Sequence, residues 1–238
     1  MSPVPMILSP SRRSIGQRSL RFVTLAVAFS TISGCTQLDP THTGYLSDYS
    51  QLQSKDPRSS LFRPRIIEAG GAGPTALANI DNFTIAPIGW LAGEVTPGTF
   101  SEDCRKNLSA KLRQALVEEL GTLRPVVETA GPRTARIRAA VTHVVFAKPV
   151  LNSALAVVAV PLFNGGGVVE AEVIAPDGQQ IAVVVAALPG RATDVLGWFT
   201  WQGHAESAMR RSAVELKTIL SPPTVKGSTI EPPLLPTP

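Results

Sequence analysis

Apolar residues recur with two different periods along this chain. In "TFSEDCRKNLSAKLRQALVEELG", Leu108, Leu112, Leu116 and Leu120 return every four residues, with Ala115 on the same face. That spacing predicts an amphipathic helix. Ser101 is its expected N-cap, Glu102 and Asp103 suit its positive end, and Gly121 fits the C′ position. A second helical rhythm runs from about Trp201 to Leu220, burying Met209, Ala213, Leu216 and Leu220. Elsewhere the period is two. "NFTIAPIGWL" sets Phe83 and Ile85 against Thr84 and Ala86. "RTARIRAAVTHVVFAKP" sets Ile137, Ala139 and Val141 against Arg136 and Arg138, and "RPVVETAG" reads as a short strand before it. "GGVVEAEVIAPDGQQIAVVVAALPG" reads as a hairpin, with Val169, Ala171 and Val173 on one face and Glu170 and Glu172 on the other. Pro176-Asp177-Gly178 supplies its turn.

The predicted order is strand, helix, four strands, helix. Helices packed on one face of a mostly antiparallel sheet, an α+β fold, is the economical arrangement. Arg136 and Arg138 would then lie across from Glu170 and Glu172 on the uncovered face, each pair contributing roughly 0.2–1 kcal/mol. Residues 53–80, rich in Pro, Gly, Ser and Ala, read as a surface loop. Residues 221–238 hold six prolines and read as a disordered tail.

The N-terminus carries a different pattern. Arg12, Arg13, Arg18 and Arg21 precede an apolar run from Phe22 to Ile32, which is too short for the roughly 20 residues that span a bilayer. Ile32-Ser33-Gly34-Cys35 closes it. The whole reads as a secretory signal, and its end resembles the lipobox of bacterial lipoproteins. The resemblance implies a diacylglyceryl (palmitate-type) thioether on Cys35, cleavage after Gly34 and acylation of the new amino terminus. Thr36, which is not acidic, implies transfer to the outer membrane, on its periplasmic face. Three acyl chains exceed the marginal single-chain anchor, at about 0.8 kcal/mol per buried CH₂. "SRRSIG" partly resembles a twin-arginine signal, but a general secretory n-region is the plainer reading. The divisions are thus a signal peptide over 1–34, a lipidated tether over 35–44, a single domain over 45–220 and the tail.

Charge and cysteines narrow the function classes. Residues 1–34 hold four of the chain's 22 basic residues and none of its 18 acidic ones, so the remainder balances at 18 against 18. The basic excess belongs to the signal, which removes the electrostatic case for nucleic acid. With Cys35 acylated, Cys104 is the remaining thiol, read as buried and structural despite its place near a helix N-terminus. Leu155 to Phe163 is too short to span a membrane, and Pro161 interrupts it. "NGGGVV" lacks the ending of a phosphate-binding loop and precedes a strand, so it reads as a flexible lead. His42, His143 and His204 have no metal-ligand spacing, and no catalytic residues or cofactor site stand out. Glu118 and Glu119 fall on the solvent side of their helix.

"GYLSDYSQLQ" holds the chain's two tyrosines, Tyr45 and Tyr49, four residues apart. With Leu46 and Leu52 they make an apolar stripe on a short helical turn, with Asp48 between them. Two amphipathic rings so close together form either a strap on the domain or a partner epitope. A strap is favoured, since a tethered arm must be fixed somewhere.

Three segments together, "GYLSDYSQL", "RTARIRAAVTHVVFAKPVLN" and "VVEAEVIAPDGQQIAVVVAALPG" with the terminal helix after it, resemble domain of unknown function 3313, a family of Gram-negative envelope lipoproteins. The resemblance covers most of residues 44–220 and implies fold and location but no chemistry. The expected function is a non-enzymatic structural or protein-interaction module of the envelope, held by its acylated cysteine beside an unidentified envelope protein. The alternative is an envelope hydrolase or lipid-handling protein. Deleting residues 222–238 should leave the thermal midpoint nearly unchanged. A fall of ten degrees or so would mean that the tail packs, since about 1 kcal/mol moves a domain of this size by only about 2–4 °C.

Overall fold

The computed structural model describes residues 38–40, 42–55, 65–93, 101–146, 165–190 and 202–222. The lipobox and residues 223–238 lie outside them, as do Leu155 to Phe163. The described elements are β1 (Gln53–Lys55), β2 (Ile66–Gly71), a 3₁₀ turn (Pro74–Leu77), β3 (Asn82–Ile85), β4 (Gly89–Trp90), α1 (Glu102–Leu120), β5 (Thr134–Val145), β6 (Gly166–Ile174), β7 (Gln180–Pro189) and α2 (Gly203–Leu220). Seven strands form one sheet in the order β1-β2-β7-β6-β5-β3, with β4 also on β5. Pairing is antiparallel except where β3 and β4 join β5. The fold is α+β, with a mostly antiparallel mixed sheet and two helices among the described residues.

Several elements follow their patterns. Ser101 caps α1 by accepting a hydrogen bond from the Cys104 amide at 3.2 Å. Leu108, Leu112, Leu116 and Leu120 are fully buried, as are Met209, Ala213, Leu216 and Leu220 on α2. These side chains share one core with Val169, Ala171 and Val173 of β6 and Val184, Ala186 and Leu188 of β7. Asn107 donates to Gln202 at 2.8 Å and to Glu206 at 3.0 Å near the helices' starts, and Lys217 meets Glu119 at 2.9 Å near their ends. The helices therefore lie side by side in the same direction. Gly178 turns the β6–β7 hairpin with φ +87°, a conformation that side chains disfavour.

Other expectations need correction. The range 53–80, read as a loop, instead contributes β1 and β2 to the sheet among its described residues, while residues 56–64 lie outside them. In β2, Ile67 and Ala69 enter the helix-side core and Glu68 points the other way. The Gly and Ala content hid that alternation. "NFTIAPIGWL" forms two short strands, β3 and β4. "RPVVETAG" makes only an isolated bridge, Val126 to Phe83. Gly121 ends α1 at φ −58°, so its left-handed freedom is unused. The glycines of "NGGGVV" that are described, Gly165 to Gly167, lead directly into or belong to β6. A Cβ on Gly166 would stand 2.5 Å from Leu38, and one on Gly167 would stand 2.7 Å from Met209. They are needed for thinness on both faces of a packed strand.

The largest correction concerns the face away from the helices. It is covered. β7 is buried along its whole length, and so is nearly all of β6. A second apolar cluster of Leu38, Leu46, Val168, Val183, Val185 and Ala187 lies there, with Tyr45, Tyr49 and Leu52 against it.

Candidate functional site: a carboxylate pair under the N-terminal arm

What covers that face is the segment from Leu38 to Leu52. Leu38 sits beside Gly166 at the start of β6. Thr43 reaches Glu170 and Ser47 reaches Glu172, each through its amide at 2.9 Å. Gln51 donates to the Gln180 carbonyl at 3.4 Å. The arm thus runs along β6 in the same direction as that strand. It is not helical. Bends and a turn closed by the Leu52 amide on the Tyr49 carbonyl, at 3.1 Å, carry it. Leu38 and residues 42–44, assigned to the tether from sequence, belong to this packing.

Glu170 and Glu172 alternate with Val169, Ala171 and Val173, so the pleat sends both carboxylates under the arm. Both residues are fully buried. Removing a carboxylate from water costs several kcal/mol unless charge-assisted hydrogen bonds replace the lost hydration. Glu172 accepts from Arg138 at 2.6 Å, from Gln180 at 2.6 Å, and from the Ser47 amide and hydroxyl at 2.9 and 3.1 Å. Glu170 accepts from the Tyr49 hydroxyl at 2.5 Å and from the Thr43 amide. Register explains the ion pair. Arg138 lies directly across from Glu172, whereas Arg136 lies across from Ile174, so only the first of the two expected cross-strand pairs forms in register.

The tyrosines are the arm's anchors. Tyr45 donates to the Ala139 carbonyl at 3.0 Å, and the Arg138 guanidinium lies over its ring at 4.9 Å. The same guanidinium donates to the Tyr45 carbonyl at 3.0 Å. Tyr49 also accepts from the amides of Gly44, at 2.9 Å, and Leu46, at 3.2 Å. Burial pushes both phenols above the ordinary value; Glu170 reinforces this at Tyr49, while Arg138 opposes it at Tyr45. Leu46 is buried and Leu52 half-buried. Asp48 holds the local turn by accepting from the amide and hydroxyl of Ser50, which lowers its pKa. His42 meets Glu68 at 2.6 Å. The sheet also makes room, since a Cβ on Gly70 would stand 1.9 Å from the Gln51 carbonyl oxygen.

Sequence reasoning picked Tyr45, Leu46, Asp48, Tyr49 and Leu52; the structure packs the two tyrosines and the two leucines on one face, while Asp48 bonds Ser50 within the arm. It missed Leu38, Thr43, Ser47 and the buried state of Glu170 and Glu172. The signal was present: "IAVVVAALP" is apolar at both parities, which marks a strand covered on both faces. Other candidates gather less. Cys104 is buried, and burial together with Glu206 raises its thiol pKa. His143 lies on β5 and His204 is buried at the start of α2. Among the described residues, no group of three or more His, Cys, Asp or Glu could hold a metal ion. Nor is any described helix long and apolar enough to cross a membrane. A groove of about 410 Å³ between the helices is lined by side chains of both charges, including Lys111, Glu118, Glu206 and Arg210. A second, of about 460 Å³, lies by the hairpin turn, near Asn79, Arg133, Asp177 and Gln179.

Residues 41–216 match the family described as "Protein of unknown function (DUF3313)". The chain belongs to that family. The match begins just before His42 and so takes in the arm's contacts with Glu170 and Glu172, as well as the sheet and most of α2. No curated protein matches the chain. Solved structures similar to it include a PelC dodecamer from Paraburkholderia phytofirmans, at 13% identity, 66% of this chain and 97% of that one, with a TM-score of 0.40. A variant of the same dodecamer has 14% identity, 64% and 97% coverage, and the same score.

Removing the Tyr49 hydroxyl should expose how much the arm contributes. Tyr49→Phe keeps the ring but strips a donor from a buried carboxylate, so a loss of about 1–3 kcal/mol is expected. An unchanged urea midpoint would show that the arm is not held by this bond.

The two phenols also set an alkaline limit. Their folded pKa values are raised, so the unfolded chain releases these protons first as pH rises. Stability from this source is complete below about pH 10 and is lost as pH climbs through the folded values. The double variant Tyr45→Phe, Tyr49→Phe should show a shallower fall in stability above that pH than wild type. Identical slopes would mean that the phenols ionise alike in both states.

Proposed function

We propose that this protein is a lipoprotein of the outer membrane, anchored through Cys35 on the periplasmic face, whose domain is a non-enzymatic structural or protein-interaction module. The observation that carries the second half of this reading is the state of Glu170 and Glu172. These are the carboxylates most deeply buried among the described residues, and their oxygens are engaged by the chain's own arm, Arg138 and Gln180. An acid or base for catalysis must reach a substrate proton in an open site. Here the buried polar groups fasten chain to chain. The first half rests on Ile32-Ser33-Gly34-Cys35 and the arginines before it.

The fastening gives the anchor a mechanical meaning. A lipid on Cys35 would join the membrane to the arm, and the arm is bonded along the middle of the sheet. The domain would be held by its central strands, leaving the helix face for an envelope partner. Supplied with an alkyne-tagged fatty acid, cells should label the wild-type protein and not Cys35→Ala, and the labelled form should fractionate with outer membranes. Equal labelling of both variants, or a mature chain that begins elsewhere, would overturn the anchored reading.

A further inference from the structure

The arm enters the domain at one end of the sheet. Leu38, 5% exposed, packs where a Cβ on Gly166 would meet it, beside the Leu188 carbonyl and Pro189. The start of β6, the end of β7 and, through the Val145–Gly166 pair, the end of β5 meet there and form a rim. The hairpin turn Pro176-Asp177-Gly178 is at the other end, roughly 30 Å away for strands of nine and ten residues.

Cys35 precedes Leu38 by three residues, which reach at most about 11 Å when fully extended. An acyl group on Cys35 therefore cannot be far from the rim. The opposite end carries charged side chains among apolar ones. Arg133 and Asp81 pair there at 2.6 Å, next to Asp177 and Gln179 in the lining of one groove.

We propose that the rim formed by Leu38, the end of β5, the start of β6 and the end of β7 faces the lipid surface, with the hairpin turn directed away from it. This orientation rests on acylation of Cys35 and adds to it a defined face. The bound arm is what fixes it. If the arm were loose, the fourteen or so residues to Leu52 would let the domain turn freely, since a flexible segment of that length spans roughly 20 Å. Bonded at Thr43, Ser47 and Tyr49, it holds the sheet end-on to the bilayer.

The test uses the acylated full-length protein reconstituted into vesicles containing headgroup nitroxide lipids. A fluorophore is placed at Val145→Cys or Phe146→Cys on the rim, and at Asp177→Cys on the turn. Two rim positions guard against one variant that misfolds, and circular dichroism checks each. Several-fold stronger quenching at both rim positions than at the turn is expected. Inserting twenty flexible residues between Cys35 and Leu38 should remove most of that difference; a difference that survives the insertion would overturn the short tether as its cause. Equal quenching at rim and turn in a vesicle-bound, acylated protein would overturn the orientation while leaving the anchor intact. A protein that carries no acyl chains and stays in solution would overturn both.

Discussion

Two carboxylates that cannot reach water organise this fold. Glu170 and Glu172 stand in the middle of the sheet, on strand β6, with β5 and β7 on either side. A sheet's own backbone donors are spent on its ladder, so a buried carboxylate on its face must find partners from above. Arg138 and Gln180 supply two for Glu172. The arm supplies others, including the donors described for Glu170. The arm is therefore not an ornament on a finished domain. It replaces the solvation of two charges, and removing it would leave them buried beside Val168, Val183 and Val185 or force that face open to water.

The two faces of the sheet are closed by different means. On one, regular helices bury leucines and methionine against alternate residues of β6 and β7, a non-directional hydrophobic contact. On the other, an irregular segment binds through named donors at fixed points, with a small apolar cluster around them. Hydrogen bonds to charged groups are directional and strong in a dry environment, so they specify one register for a segment that has no secondary structure of its own. Gly70 and Gly166 complete the fit by letting backbone and Leu38 approach the sheet closely. Both faces of β7 are consumed in this way, which is why its sequence has no polar parity.

Membership of the DUF3313 family adds weight to this arrangement without supplying a reaction. The matched region begins ahead of His42 and ends within α2, so most of the arm, the sheet and most of the two helices fall within one family match. A chain whose deepest polar groups hold its own N-terminal segment keeps that segment in one register on the folded body.

The sequence by itself determined the elements whose periodicity is strong. Leucines spaced by four wrote α1, alternation wrote β5 and β6, and Pro176-Asp177-Gly178 wrote the turn between β6 and β7, because each of these is decided within a dozen neighbouring residues. It also singled out Tyr45 and Tyr49 as rings that must be tied down. It did not place β1 and β2, since short glycine-rich strands acquire their pattern only when β7 is beside them. Nor did it show that Glu170 and Glu172 are buried, because alternating glutamates on a strand look the same whether they face water or an arm. That choice was made by contacts across more than 120 residues, Thr43 to Glu170 and Ser47 to Glu172. Only the tertiary structure brings those groups within hydrogen-bonding distance, and only there does the cost of burying a charge become a reason for the arm to bind.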